Sequence, residues 1–279
     1  MKRSVLFWIL AFILTIGAAV FQRVTGPSYP VSGSVTIGGK TIPYKLDRSH
    51  AGPTDATVTV KTDDPTIEGV VSWKRHKTND AWTSVPMAFD HGTLSAALPH
   101  QPASGKLMYR VELRQGEQRV TLAAPDPVVI RFRGDVPLVI FLPHLVAMFG
   151  AMLLSTRAGM EFFSPGPNLK KLTYWTLGFL FVGGFILGPA MQYYSFNAWW
   201  TGWPVGTDLT DNKTAVAFLA WIVAAFALGR SKSPKRWALA ASIILLAVYL
   251  IPHSLLGSEL NYNETAPPAV KADSSVVRE

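Results

Sequence analysis

Residues 128–157 read VVIRFRGDVPLVIFLPHLVAMFGAMLLSTR, and this stretch decides the fold class. Its first part, residues 128–133, brings apolar and charged side chains into alternation, which is typical of a half-buried β-strand. The part between Asp135 and Arg157 contains no Asp, Glu, Lys or Arg. That run is long enough for a helix to cross a bilayer, which takes ~20 apolar residues. The stretch therefore predicts a β-domain joined directly to a membrane-spanning helix.

Other apolar segments of the chain predict further membrane-spanning helices. The uncharged region at residues 172–207 is too long for one helix. We therefore expect a span at residues 172–192 and an interfacial segment at residues 193–207. Together with the span described above, the chain is predicted to form a membrane α-helical bundle of five transmembrane helices. The remaining predicted spans lie at residues 4–22, 211–229 and 237–256.

The first segment, residues 1–22, has two interpretations. Lys2 and Arg3 precede an apolar run, which suits an uncleaved N-terminal anchor and also a signal peptide. Gly17-Ala18-Ala19 is a loosely acceptable cleavage region for the second alternative. Both alternatives place the residues that follow on the far side of the membrane.

The distribution of charge orients the spans. Only 16% of the residues are charged, against ~25% in typical soluble proteins. The positive-inside rule places the basic loops in the cytoplasm, so we predict a plasma (inner) membrane protein with its N-terminus inside and its β-domain and C-terminus outside. Nine basic residues and one acid, Glu161, then lie inside and account for the whole net charge of +8. The expected partner is thus the lipid bilayer and not nucleic acid. The nine are Lys2, Arg3, Arg157, Lys170, Lys171, Arg230, Lys232, Lys235 and Arg236.

Residues 23–135 form the predicted extracytoplasmic domain, and their pattern is that of β-strands. Short alternating runs recur about every dozen residues with Pro and Gly between them, which favours an all-β sandwich. Gly38-Gly39 predicts a tight hairpin. Residues 136–256 then hold four helices, and residues 257–279 form a tail that we expect to be disordered. Strands are predicted at residues 35–37, 40–46, 56–62, 68–75, 82–87, 93–98, 106–114, 118–122 and 128–133.

The run Val71-Ser72-Trp73-Lys74, with residues 92–98 and 107–113, resembles fibronectin type III and immunoglobulin-like sandwiches. In those folds an early-middle Trp and a late-strand Tyr anchor the core. The resemblance implies a fold and a binding or spacing role, and it implies no chemistry. The chain has no cysteine, which excludes disulfides, thiolate metal sites and iron–sulfur clusters.

Two histidines inside predicted spans are candidates for a site, because ionisable groups within a membrane are costly. His144 and His253 each follow a proline, and both lie toward the outer side. They predict either a shared ligand, proton, haem b or quinone site, or two hydrogen bonds to backbone carbonyls. Asp208, Asp211 and Glu259 lie near the same boundary. With the histidines they complete the candidate ligand or proton site.

The segment between the third and fourth spans is densely aromatic. One interpretation is an interfacial belt, which anchors helices at the level of the lipid headgroups. The other is the wall of a pocket for a lipid, a quinone or a hydrophobic substrate. The five residues are Tyr193, Tyr194, Trp199, Trp200 and Trp203.

Three classes of function remain open. The first is an accessory, binding or assembly subunit of an envelope complex, with other membrane or envelope proteins as partners. The second is a redox subunit that holds haem b or a quinone through His144 and His253. The third is a small transporter component gated by Asp208 and Asp211.

The sequence supplies little support for an enzyme. It has no phosphate-binding glycine loop, no His-Glu-x-x-His helix and no nucleophile elbow, so we predict no catalytic residue and, for the first class, no cofactor; the metal stays open, with His144 and His253 as haem ligands in the second class. Asp211 is placed to cap the fourth span. Asp208 is then expected to pair with Lys213.

Overall fold

The structure is a computed structural model that describes residues 2–252, 257 and 259–262. Within this part the chain forms one long helix, then eleven β-strands, then five more α-helices. The first helix, α1, is Lys2–Thr25, and the strands lie between residues 31 and 133. The later helices are α2 (Leu138–Gly159), α3 (Leu169–Phe181), α4 (Gly188–Phe196), α5 (Leu209–Arg230) and α6 (Pro234–Leu250).

Four helical segments of the described chain are long and apolar enough to cross a membrane. The prediction of five such helices was wrong by one, because α6 has only 17 residues. At 1.5 Å per residue it spans about 25 Å, less than the ~30 Å of a bilayer's hydrocarbon core. The predicted fifth span ran on to residue 256, but residues 253–256 lie outside the described residues. The four segments are Arg3–Thr25, Leu138–Phe163, Leu169–Phe196 and Leu209–Arg230.

The third of these segments is longer than predicted. α3 continues through a π-helical turn at Val182–Leu187 into α4 without a break. Residues 193–196, which we expected in the interfacial segment, are therefore the last turn of a helix. Pro189 lies in the first turn of α4, where the lengthened hydrogen bonds of the π turn accommodate a residue without an N–H.

The eleven strands of the all-β region form three sheets within the described residues. The strands are β1 (Val31–Ile37), β2 (Lys40–Leu46), β3 (Ser49–Ala51), β4 (Ala56–Lys61), β5 (Glu68–Arg75), β6 (Thr83–Pro86), β7 (Ala88–Asp90), β8 (Thr93–Leu98), β9 (Lys106–Gln115), β10 (Gln118–Thr121) and β11 (Val128–Arg133). β1 and β2 form one sheet, and β4, β8 and β7 form another. The largest sheet has the order β3-β11-β9-β5-β6, with β10 also paired to β9. All its pairs are antiparallel except β3 with β11.

The alternating sequence pattern located most strands. The predicted strands at residues 68–75, 93–98 and 128–133 coincide with β5, β8 and β11. The predicted hairpin is also present: Gly38 and Gly39 have φ of 57° and 74°, the left-handed pair that a two-residue turn between twisted strands requires. β3 and β7 were not predicted, because three residues are too few to show alternation.

The three sheets share one hydrophobic core. Leu46, Leu94 and Leu107 each come from a different sheet, and all three are fully buried in it. Tyr109 is also fully buried, and its hydroxyl donates a hydrogen bond to the carbonyl oxygen of Asp47 at 2.8 Å. Trp73 packs against the same core while only partly buried. Both aromatic residues that the fibronectin-like resemblance emphasises thus contact the core.

Glycines permit close contact between the helices. A Cβ on Gly183 would lie 2.7 Å from Sδ of Met148, and one on Gly184 would lie 2.6 Å from Cγ2 of Thr214. Helix interfaces in membranes favour small residues for this reason. Gly178 does not have this role, because a Cβ there would meet nothing within 4 Å.

The ends of α6 are held by side chains from other segments. At its first turn, Nζ of Lys235 donates to the carbonyl oxygen of Ser164. At its other end, Nε2 of Gln22 donates to Tyr249 O at 2.8 Å and Nζ of Lys213 donates to Ile251 O at 2.6 Å. Carbonyls after the last turn of a helix lack partners within that helix. α6 therefore extends between opposite ends of the bundle, and α1 is part of that bundle.

Candidate functional site at the junction of the β-domain and the helices

The β-domain rests on the end of α4. Where the chain leaves β11, the Gly134 N–H donates to Ser195 O at 2.9 Å. A Cβ on Gly134 would lie 2.1 Å from Tyr194 O, which is closer than any side chain allows. This position therefore requires glycine. The close contact between the backbones of Gly134 and of Tyr194 and Ser195 holds the domain against the helix.

Arg131 makes a second contact between the two parts. Its guanidinium carbon lies 3.9 Å from the ring centroid of Phe196, within the range of a cation–π interaction. Burial lowers the pKa of Arg131, while the nearby carboxylates of Asp208 and Glu259 act in the opposite direction. One guanidinium from the β-domain is therefore influenced by an acid at the start of α5 and by another near the C-terminal end of the described chain.

A cavity of about 310 Å³ lies at this junction. Its floor is the outward face of β11, because Arg131 and Arg133 are two residues apart and point the same way. Arg48 and Lys106 contribute from the neighbouring strand regions, and the ring of Phe196 closes one side. The cavity is thus lined by four cationic side chains and an aromatic ring.

The acids near the cavity do not balance all of these cations. Lys106 pairs with Glu259, with 2.5 Å between Nζ and Oε1. Among the described residues, none of the ion pairs includes Arg48 or Arg133. Arg133 uses one guanidinium nitrogen on the neighbouring Gly134 O at 3.2 Å. The cavity therefore retains an excess of positive charge and guanidinium donors.

Asp208, not Asp211, caps α5, which corrects our expectation. Oδ1 of Asp208 accepts from the backbone N–H of Thr210 at 2.7 Å. Asp211 lies in the first turn, where its Oδ2 accepts from the N–H groups of Thr201 and Gly202 at 2.7 and 3.0 Å. The amide of Gln192, oriented to satisfy all of its neighbours, donates to both oxygens of the same carboxylate. Asp211 thus holds the aromatic loop against the helices.

The ammonium group of Lys213 interacts with other groups besides Asp208. Its Nζ reaches the end of α6 through the bond to Ile251 O described above, and the charge of Asp208 also acts on it. Asp208 thus acts on Lys213 through its charge, and the direct pairing that we expected stays a prediction.

The aromatic residues mostly face outward. Trp199 stacks on Tyr193 with ring centroids 4.5 Å apart, yet both rings are exposed. Trp203 is 78% exposed, and Tyr194 is exposed as well. Trp200 differs, because it stacks on Phe185 at 5.9 Å. Exposed rings at the end of the helices next to the β-domain have the placement of an interfacial belt.

His144 bonds to a neighbouring helix. Its Nδ1 lies 3.0 Å from Gly183 O, in the π turn. Since a carbonyl can only accept, Nδ1 carries the proton, and Nε2 keeps its lone pair. Gly183 O also accepts from the N–H of Gly188. The hydrogen bond to a backbone carbonyl agrees with the structural interpretation of His144, and it leaves one ring nitrogen for a ligand. His253 lies outside the described residues.

Glu259 brings the C-terminal part of the described chain onto the β-domain. Its carboxylate pairs with Lys77 at 2.6 Å as well as with Lys106. Partial burial raises the pKa of Glu259, but the hydrogen bonds from Lys106 and Lys77 outweigh it and lower that pKa to about 2. Nearby, the hydroxyl of Tyr262 accepts from the N–H of Lys106 at 2.9 Å. The segment is therefore attached to the start of β9.

The predicted site residues thus converge only in part. Asp208 and Glu259 both act on Arg131, whereas Asp211 binds the aromatic loop and His144 binds α3's continuation. No group of three or more His, Asp or Glu side chains among the described residues is arranged to hold a metal ion.

Sequence reasoning missed the cationic cavity. Arg48 and Lys106 are far in the chain from Arg131 and Arg133, and they meet only because β11 pairs with both β3 and β9. One sequence pattern did indicate part of the cavity. Alternation along β11 places Arg131 and Arg133 on the same strand face, opposite to the core residues Ile130 and Phe132.

Fold and site together define a class of protein: one with four helical segments long and apolar enough to cross a membrane, and an all-β region whose junction with the helices carries a cationic cavity. The chain matches no protein-family model, no curated protein and no solved structure. The resemblance to fibronectin-like domains therefore stays a prediction.

Proposed function

We propose that the protein is an extracytoplasmic binding subunit of the cell envelope, which holds an acidic group of its ligand or partner in the junction cavity. The observation that carries the proposal is the set of four cationic side chains around a cavity of about 310 Å³. Arginine forks match carboxylate and phosphate groups in geometry and charge. The Phe196 ring supplies an apolar wall, so the ligand class is an acid with an attached apolar group.

The orientation of the protein is part of this proposal. The β-domain and the cavity face the outside of the plasma membrane, and the basic loops face the cytoplasm. α6 is shorter than the four long segments, but it extends between opposite ends of the bundle and so returns the chain to the outer side, which agrees with the contacts of Glu259 on the β-domain.

The ligand proposal is tested by measuring the binding of phenyl phosphate to the purified full-length protein with isothermal titration calorimetry. Phenol is the uncharged control. We expect phenyl phosphate to bind, and the double variant Arg48→Gln/Arg133→Gln to lose this binding. Arg119→Gln is the matched control, because Arg119 is exposed on β10 and does not line the cavity. Equal binding by all three proteins would refute the proposal.

The orientation has a separate test that uses the absence of cysteine from the chain. A single cysteine introduced by Glu117→Cys is expected to react with a membrane-impermeant maleimide added to spheroplasts, in which the outer layers of the envelope are removed and the plasma membrane is intact. One introduced by Lys232→Cys is expected to react only after the membrane is permeabilised. Both positions are exposed, so reversed labelling would mean the opposite orientation.

A second candidate function is a haem b- or quinone-linked redox subunit, and one observation favours it. The bond from Nδ1 of His144 to Gly183 O fixes the ring and leaves Nε2 as a potential ligand, the arrangement common for metal-binding histidines. The test is an absorption spectrum of the purified protein. A Soret band that disappears in His144→Ala or His253→Ala would support this function, and a colourless protein would exclude the haem.

A further inference from the structure

A second cavity lies at the opposite end of the bundle, where α1, α2 and α3 meet. It has a volume of about 440 Å³. Trp8 of α1 and Trp175 and Phe179 of α3 form its apolar walls, and Arg157 of α2 and Lys171 of α3 lie at its polar end. Both tryptophans are exposed on the outer surface of the bundle. We call this feature the lateral groove.

Arg157 has an unusual environment for a charged residue. It is 2% exposed and pairs with the fully buried Glu161, with 2.7 Å between Nη1 and Oε1. Its Nη2 donates to Oγ of Ser4 at 3.3 Å. Its Nε–H is buried and has no hydrogen-bond acceptor among the described residues. Since buried donors are nearly always satisfied, an acceptor from outside the described residues is expected here, and a bound anion would supply one.

We propose that the lateral groove binds an anionic phospholipid of the cytoplasmic leaflet. The phosphate accepts from Nε of Arg157 and pairs with Nζ of Lys171, and an acyl chain lies along Trp8, Trp175 and Phe179. A cationic pocket between membrane helices on the cytoplasmic side is the usual setting for anionic headgroups. The assignment to the inner leaflet rests on the orientation under Proposed function; the binding itself does not.

The composition of the groove explains why the occupant is a lipid and not a soluble anion. Its walls are aromatic and apolar over most of their length, and it opens sideways on the surface that α1 and α3 expose. A soluble anion would leave those rings without a partner, whereas a phospholipid fills both ends. The indole rings also suit the level where headgroups and acyl chains meet.

The experiment is native mass spectrometry of the full-length protein in detergent, titrated with phosphatidylglycerol or with phosphatidylcholine of the same acyl chains. We expect phosphatidylglycerol to be preferred, and Lys171→Gln to weaken its binding about fivefold, the effect of one basic residue near a membrane surface. Arg157→Lys keeps the charge and removes Nε–H, so it should also reduce the preference. Arg236→Gln is the matched control, because it removes one exposed inner charge outside the groove.

Each outcome has a clear meaning. Loss of preference in Lys171→Gln but not in Arg236→Gln supports the groove. Equal losses in both variants mean attraction by the general surface charge, and equal binding of the two lipids means no headgroup site; both results overturn the proposal. If Arg157→Lys does not fold, Lys171→Gln still decides. Reversed maleimide labelling would change the leaflet and leave this measurement valid.

Discussion

Arg131 places its guanidinium carbon 3.9 Å from the ring centroid of Phe196, and this contact joins the last strand of the β-domain to the end of α4. The same guanidinium lies within the electrostatic reach of Asp208 and Glu259. Charge from three separate parts of the chain thus meets at one point beside the junction cavity. The attachment of the β-domain and the binding of an acidic ligand are therefore expected to influence each other.

Gly134→Ala is expected to loosen that attachment. The new Cβ would lie 2.1 Å from Tyr194 O, so the backbone must shift and the bond from Gly134 N to Ser195 O is lost. We expect a destabilisation of about 1–3 kcal/mol, typical of overpacking, measured by thermal unfolding of the purified protein. Gly178→Ala is the control, since a Cβ there meets nothing within 4 Å. Equal stability of the two variants would contradict the close contact at the junction.

Asp211→Asn and Asp208→Asn are expected to differ although each removes one charge. Asp211 accepts two backbone N–H groups of the aromatic loop, and hydrogen bonds to a charged group contribute about 1.5–3 kcal/mol each. Asp208 is a helix cap, a role that Asn fills about equally well. We expect Asp211→Asn to lower stability and to expose the loop to proteases. Asp208→Asn should leave the loop protected, although it removes the charge that acts on Arg131 and Lys213. If a protease cleaves the loop equally fast in both variants, Asp211 does not hold the loop.

These two variants also test the transporter hypothesis, which no structural observation decides. Loss of solute flux across the membrane, with an unchanged amount of protein, in either variant would favour this hypothesis. Unchanged flux in both variants would remove it.

The docking of Glu259 on Lys77 and Lys106 is expected to depend on pH. Its pKa falls from the ordinary value of 4.5 to about 2, so its contribution is present above about pH 4.5 and is lost as the pH falls toward about 2. A fluorophore attached to Gly257→Cys reports docking through its anisotropy. We expect a decrease in anisotropy within this pH window.

Glu259→Gln should already show low anisotropy at neutral pH. Glu112→Gln is the matched control, because Glu112 pairs with Arg114 within β9. A wild-type anisotropy that does not change between about pH 5 and about pH 2 would show that this carboxylate does not hold the segment.

Residues 1–22 are expected to remain in the mature protein. Ala11 and Thr15 of α1 are buried in the described structure, and Gln22 donates to the end of α6. Cleavage of residues 1–22 as a signal peptide would remove these contacts from the mature protein. Intact mass measurement of the purified protein decides the question. Gln22→Leu should lower stability by about 1 kcal/mol, the value of one hydrogen bond. Gln118→Leu is the comparison, because it removes from β10 an exposed bond donated by Gly38 N–H and should cost less.

The sequence pattern predicted local structure better than it predicted the site. Alternation located β5, β8 and β11, because each strand has one face in the core and the other outside it. The predicted length of α6 and the predicted cap of α5 were wrong, since both depend on single residues at helix ends. Asp208 rather than Asp211 caps α5, and the carbonyls at the end of α6 accept hydrogen bonds from Gln22 and Lys213. The cationic cavity depends on pairing between strands that are distant in the chain, such as β3 and β11. One-dimensional periodicity contains no information about that pairing.

The β-domain is connected to the rest of the molecule at three places: after α1, at Gly134, and through the segment at residues 259–262. A body joined by one linker can swing, and a body joined by two can still rotate about the line between them. A third attachment removes this rotation. The β-domain is therefore expected to keep one orientation relative to the helices, and a force applied to the domain is expected to be transmitted to them.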